Sequence, residues 1–238
     1  MRSLGSPHLH LSSVDSTNDR ARQLAGAGAP HGTIVTADFQ SSGRGRQGRG
    51  WIAPPGSSLL VSLLLRQPPE LLPLIAAISV AEICGPAARI KWPNDILLGE
   101  PGKPQAKVAG ILCEGRPQED WAIVGVGLNA ALDLDQLPDE LRSRSATLGL
   151  ESDQRAQLLE ALVSSIESTL RLPNDQVLAA WKLRDALTGQ KIGWLAGDSE
   201  QRGTASGISE SGGLLVVLED GSQVELNAGE VHLAAAED

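Results

Sequence analysis

Three apolar runs of strand length, at residues 57–66, 108–113 and 121–128, limit the folds open to this chain. A strand that stays apolar at successive positions leaves no face for water and belongs inside a covered sheet. Further strands are read at 8–13, 32–39, 89–92 and 96–98. Helices are read at 16–26, 72–84, 154–172 and 175–187, with Leu158, Leu159, Leu162, Val163, Ile166 and Leu170 forming one apolar stripe. Five or six strands interleaved with helices predict an α/β (α+β) domain.

After about Thr188 the texture changes. Short strands at 191–195, 202–208, 214–218, 222–226 and 230–233 are punctuated by glycines, and Asp220-Gly221 is a hairpin signal. Some 50 residues of this kind predict a small SH3-like β-barrel. The expected division is therefore 1–187 and 188–238. With one Phe and no Tyr, the core must be built from Leu, Ile, Val and Ala.

The chain is acidic, with 29 Asp+Glu against 20 Lys+Arg, which argues against general binding to nucleic acid or membrane surfaces. No apolar stretch reaches the roughly 18 residues of a membrane span, and no secretory signal opens the chain. Cys84 and Cys113 are expected as free thiols in a reducing, cytoplasmic setting. His8, His10, His31 and His232 form no metal-ligand pattern, and His8 and His10 are expected on the surface.

Against this background residues 43–51, Gly-Arg-Gly-Arg-Gln-Gly-Arg-Gly-Trp, concentrate three arginines in one loop. Arginine offers a planar fork of donors that matches carboxylate and phosphate oxygens, and glycine lets the backbone approach a ligand. The loop is expected to be mobile when empty and ordered when an anion neutralises it. It lacks the Gly-Lys-Ser/Thr ending of a P-loop. An RNA-touching Arg-Gly segment is the competing reading, and the acidic balance opposes it.

Three more clusters follow. Lys91-Trp92-Pro93-Asn94-Asp95 sets a cation, a ring, an amide and a carboxylate at a strand end, where ligands of such sheets sit. Lys107 precedes a buried strand that contains Gly110, and glycine inside a strand marks a close approach. Gly125-Val126-Gly127-Leu128-Asn129 ends another. Upstream, Ser16 reads as a helix cap, with Asp19 completing a capping box.

In this order the clusters, with Ser16-Thr17-Asn18, resemble the biotin–protein ligase family over about residues 8–235. The resemblance implies a mixed sheet flanked by helices, as in class II synthetase-like biotin and lipoate ligases. It implies formation of biotinyl-5′-AMP from biotin and ATP with Mg²⁺, then transfer to a lysine of a carboxylase's biotin carboxyl-carrier domain. It places Ser16, Thr17 and Gln40 on the ureido ring of biotin and leaves room for the ring at Gly110. Gly43, Arg44 and Lys107 meet the carboxylate and later the acyl phosphate. Arg46 and Arg49 suit the ATP phosphates, Trp51 the adenine face, and Asn94 and Asn129 the adenine edge. Asp95 is left open between orienting the acceptor amine, contacting Mg²⁺ and pairing with a loop arginine; no metal ligand is otherwise assigned. Arg44, Lys107 and Asp95 are the catalytic candidates. With 15 residues before Ser16, a ligase without a DNA-reading domain is expected, as monomer or homodimer. A lipoate or octanoate ligase is the nearest alternative, and a catalytically dead biotin-binding protein a further one. The usual lead into the loop is altered here to Phe39-Gln40-Ser41-Ser42, and the hairpin at 99–105 is long.

Overall fold

A computed structural model describes residues 4–99, 105–116, 120–197, 199–227, 229 and 231–233. The first part of the chain runs β1 (His8–Leu11), α1 (Thr17–Gly26), β2 (Ile34–Ala37), β3 (Ser58–Arg66), α2 (Leu72–Ile83), β4 (Arg89–Lys91), β5 (Asp95–Leu98), β6 (Ala106–Arg116) and β7 (Trp121–Asn129). Then follow α3 (Asp139–Arg142), α4 (Arg155–Thr169) and α5 (Asn174–Lys182). The last part is β8 (Lys191–Ala196), β9 (Ser199–Ile208), β10 (Leu214–Val217), β11 (Gln223–Leu226) and β12 (Val231–Leu233). Apart from Gly99 and Gln105, the hairpin expected at 99–105 lies outside the described residues.

The first seven strands form one sheet in the order β1-β2-β3-β7-β6-β5-β4. It is mixed: β1 and β2 are parallel, joined through α1, and the other neighbours are antiparallel. Each of the seven falls on a segment read above as a strand, so the total of five or six was too low although the segments themselves, the short β4 and β5 included, were marked.

The three apolar runs occupy β3, β6 and β7 at the centre of this sheet; β3 and β7 join apolar clusters on both faces, and β6 on one. Along β3, Leu59, Val61, Leu63 and Leu65 lie on the face covered by α4 and join the core that α2 and α4 share, while Leu64 faces α1 with Val35 and Ile123. That is the two-residue period of a strand, with each face finding a different helix. Helix α2 is apolar all round, as a fully enclosed helix must be. Its residues Leu72 and Leu74–Ala81 are buried, and its polar Ser79 hydroxyl donates to the Ile75 carbonyl at 2.8 Å. Pro73 sits in its first turn, where no N–H is needed.

The last five strands form an antiparallel, SH3-like sheet in the order β11-β10-β9-β8-β12. Its apolar residues Ile192, Trp194, Ile208, Leu214 and Val216 share one continuous core with α2 and the first sheet. Among the described residues no helix is long and apolar enough to cross a membrane. Cys84 and Cys113 are free thiols.

Candidate active site

The face of the first sheet that meets α1 becomes a site because its inward residues are small. Gly125, Gly127 and Gly110 sit where a side chain would fill the surface. A β-carbon on Gly125 would lie 2.1 Å from Asn18 Oδ1, and one on Gly127 would lie 2.5 Å from the Trp51 ring. On Gly110 it would meet Trp51 at 3.0 Å and the Lys107 stem at 3.1 Å. The three glycines are a floor on which Asn18, Trp51 and Lys107 rest.

The start of α1 is fixed to that floor by hydrogen bonds. Ser62, fully buried on β3, shares its single proton between Asn18 Oδ1 at 2.6 Å and Thr17 Oγ1 at 2.8 Å. The Thr17 N–H and hydroxyl both donate to Gln40 Oε1, at 2.7 and 3.0 Å. Asn18 Nδ2 donates to the Leu112 carbonyl and to Glu114 Oε2. Ser16 caps the helix weakly, accepting from the Asp19 N–H at 3.5 Å. The expected capping box does not form. The Ser16 N–H donates instead to Asp15 Oδ1 at 2.7 Å, and the Asp19 carboxylate is drawn away by Arg22 and Arg44.

The arginine loop is a closed hairpin. The Trp51 N–H donates to the Gly43 carbonyl and the Gly45 N–H to the Arg49 carbonyl, with a 3₁₀ turn at Arg46–Gly48 between them. Gly43 belongs to this hairpin base, where a β-carbon would lie 2.5 Å from the Trp51 carbonyl. Arg44 reaches Asp19 at 2.7 Å and Glu114 at 3.1 Å. The expected neutralisation of the loop is thus supplied, at Arg44, by carboxylates of the chain itself.

From the other side, Lys107 Nζ contacts Asp95 Oδ1 at 2.7 Å and lies 5.6 Å from the centre of the Trp51 ring. Asp95 thus pairs with this lysine, a partner outside the three alternatives expected for it, and not with a loop arginine. Asn94 Nδ2 donates to the Ile111 carbonyl, which holds the β4–β5 turn against β6.

Together these elements enclose a cavity of about 630 Å³. Ser16, Thr17, Gln40, Arg44, Arg46, Arg49, Trp51, Asn94, Asp95, Lys107 and Gly110 all line it. Its cations are Arg44, Arg46, Arg49, Lys91, Lys107 and Arg144, and its one described acidic residue is Asp95. In a chain of formal charge −9, so biased a lining selects an anion. Two anticipated residues stand apart. Gly43 lies behind the lining, and Asn129 is buried with its amide held by Ser58 Oγ at 3.3 Å and the Ala146 carbonyl at 3.0 Å. Asn129 therefore does not reach the cavity, because β3 and the segment after α3 take both ends of its amide.

Several contributors were not anticipated. Ser62 was signalled only by a hydroxyl inside an apolar run. Asp19 and Glu114 act through pairing across elements, which spacing along the chain does not show. Arg144 and Ser145 enter because their segment runs beside the start of β6, the Lys107 N–H donating to the Arg144 carbonyl at 2.8 Å. His232 and Leu233 of β12 bring the second sheet to the cavity wall. Among the described residues no group of three His, Cys, Asp or Glu side chains is arranged to hold a metal ion.

Residues 11–130 match the biotin/lipoate A/B protein ligase family, and residues 189–233 match the biotin protein ligase C-terminal domain. The chain is 35% identical, over 71% of its length, to the bifunctional ligase/repressor BirA of Bacillus spizizenii, of which it spans only about half, 55%. It is 32% identical to a biotin–[acetyl-CoA-carboxylase] ligase of Paracoccus denitrificans, covering 90% of this chain and 95% of that one. Among solved structures, the biotin protein ligase of Aquifex aeolicus in complex with biotin and ATP superposes with a TM-score of 0.78 at 29% identity, covering 97% of this chain and all of that one.

Proposed function

The chain belongs to the biotin/lipoate A/B protein ligase family, and we propose on that premise that it is an ATP-dependent biotin–protein ligase. The observation that carries this reading is the cavity lining, in which, among the described residues, six cations face one carboxylate beside a neutral polar pocket made by Ser16, Thr17 and Gln40.

In the first half-reaction the carboxylate of biotin attacks the α-phosphorus of ATP, giving biotinyl-5′-AMP and pyrophosphate. Two anions must meet for that bond to form, so the work of the protein is positioning and charge stabilisation. Arg44 and Lys107 approach the reacting oxygens from opposite walls, while Arg46 and Arg49 take the departing phosphates. The ureido ring, a neutral group, suits the neutral donors at the start of α1. Thr17 occupies Gln40 Oε1, which leaves Gln40 Nε2 to donate to the ring carbonyl. Trp51 offers its face to the adenine, with Asn94 at the edge. Mg²⁺, which keeps mostly water and phosphate oxygens as ligands, would neutralise the polyphosphate. Among the described residues Asp95 is the cavity-lining carboxylate that would hold it, once its contact to Lys107 opens.

In the second half-reaction the amine of an acceptor lysine attacks the acyl carbon and AMP leaves. The acceptor is the biotin carboxyl-carrier domain of a carboxylase. Residues 1–187 carry the chemistry, and residues 188–238 close one wall of the site; the protein works in the cytoplasm.

ATP–pyrophosphate exchange with Mg²⁺, run with biotin, with lipoate and with no acid, tests the reading. Exchange that requires biotin is the expected result. Exchange with lipoate alone would reassign the pocket to the lipoate branch of the family, and exchange with neither would remove the activity.

A further inference from the structure

Four charged side chains close a ring at the base of the arginine loop. Asp19 on α1 contacts Arg22 and Arg44, and Glu114 on β6 contacts Arg44 at 3.1 Å and Arg22 at 3.9 Å. Two carboxylates and two guanidiniums sum to zero, so the ring does not oppose the approach of an anion. Glu114 is itself held by Asn18 Nδ2 at 2.8 Å, and Asn18 by the buried Ser62. A guanidinium has five N–H groups. The two carboxylates take one from each terminal nitrogen of Arg44 and leave three for a ligand.

The energetic meaning follows from the loop's composition. Residues 43–50 contain no apolar side chain, so burial does not hold them over the cavity. A loop that must be ordered by its ligand lowers the ligand's apparent affinity by the fraction of time it is out of place. Tying Arg44 to two separate elements before substrate arrives removes part of that loss.

We propose that Asp19 and Glu114 are positioning residues, which anchor Arg44 from α1 and β6 and so hold the arginine loop over the cavity in the empty protein. For its kinetic consequence alone the proposal rests on the ligase reading. The test uses the full chain as wild type, D19N, E114Q, D19N/E114Q and R22Q. Limiting trypsin cuts after Arg46 and Arg49, and the nicking rate is read by mass spectrometry with and without preformed biotinyl-5′-AMP. Each lost pair is partly exposed, so nicking of the empty protein is expected to rise about 2- to 5-fold in each single variant and about 4- to 25-fold in the double one. R22Q keeps both bonds to Arg44 and is expected to match wild type. Saturating adenylate is expected to bring all variants to the same slow rate. In biotin-dependent exchange, KM for biotin should rise in the same order while kcat changes little.

Unchanged nicking in E114Q and in the double variant would overturn the proposal, as would R22Q nicked as fast as D19N. Should the double variant fail to fold, E114Q alone decides. Absence of exchange in wild type would instead sink the ligase reading, and nicking of the empty protein would still judge the anchor.

Discussion

Asn18 makes hydrogen bonds with both ends of its amide, and it can do so only because Gly125 has no side chain beneath it. Gly125→Ala should force Asn18 out of place and cost about 1–3 kcal/mol, as overpacking of a tight site does. Thermal melting measures that cost, and an unchanged Tm would show that Asn18 finds another rotamer. Arg44→Ala removes a charge-assisted hydrogen bond and is expected to weaken retention of the acyl-adenylate by about 1.5–3 kcal/mol, or about 10- to 150-fold. Dissociation of labelled biotinyl-AMP gives the number, and unchanged retention would take Arg44 out of the site. What could be read beforehand at this scale was residue type: arginine forks, lone lysines, glycines within strands. What could not be read was where each side chain is held. Asn129 and Asn94 both close strand segments, yet the Asn129 amide is claimed by Ser58 and Ala146, whereas Asn94 lines the cavity.

Elements were more legible than residues. The β3, β6 and β7 runs and the stripe of α4 were visible because burial on a strand or a helix imposes a period on the sequence. Pairing was not visible, since β1 joins the sheet beside β2 through contacts that only the fold creates. That edge carries its own pH dependence. His8 Nε2 and His10 Nδ1 both reach Thr36 Oγ1, at 2.7 and 3.0 Å, and His10 Nε2 lies 3.3 Å from Asp38, which also pairs with Arg155. Burial, and then the neighbouring His10, lower the pKa of His8 from its ordinary 6.5. The unfolded chain therefore takes up the His8 proton first as pH falls. The contribution of His8 to stability is present above about pH 6.5 and is lost as pH drops through the lower, folded value. The Tm of wild type should fall more steeply than that of His8→Gln between about pH 7 and 5. Parallel curves would mean that His8 titrates alike in both states.

For the whole molecule, the question is whether the two sheets are one cooperative unit. The change of texture near Thr188 was plain in the sequence, but it says nothing of how the parts are joined. The join is an apolar core shared through α2, with Trp92 at its edge: its ring is buried and its Nε1 donates to the Gly212 carbonyl at 3.1 Å. Gly212 packs on α2, where a β-carbon would meet Leu74 at 3.3 Å. Removal of residues 188–238 would expose that core, so truncation tests folding before it tests function. Trp92→Phe is the cleaner probe. It keeps an aromatic ring and deletes one bond between the sheets, leaving a carbonyl unsatisfied at a cost of about 1–3 kcal/mol. In a chain of this size each kcal/mol lowers Tm by about 2–4 °C. Calorimetry should show a single transition in both proteins, shifted down in the variant. Because His232 and Leu233 of the second sheet wall the cavity, the same variant should also raise the KM for substrate. Two separate transitions in wild type would mean that the sheets unfold independently and that the shared core does not couple them.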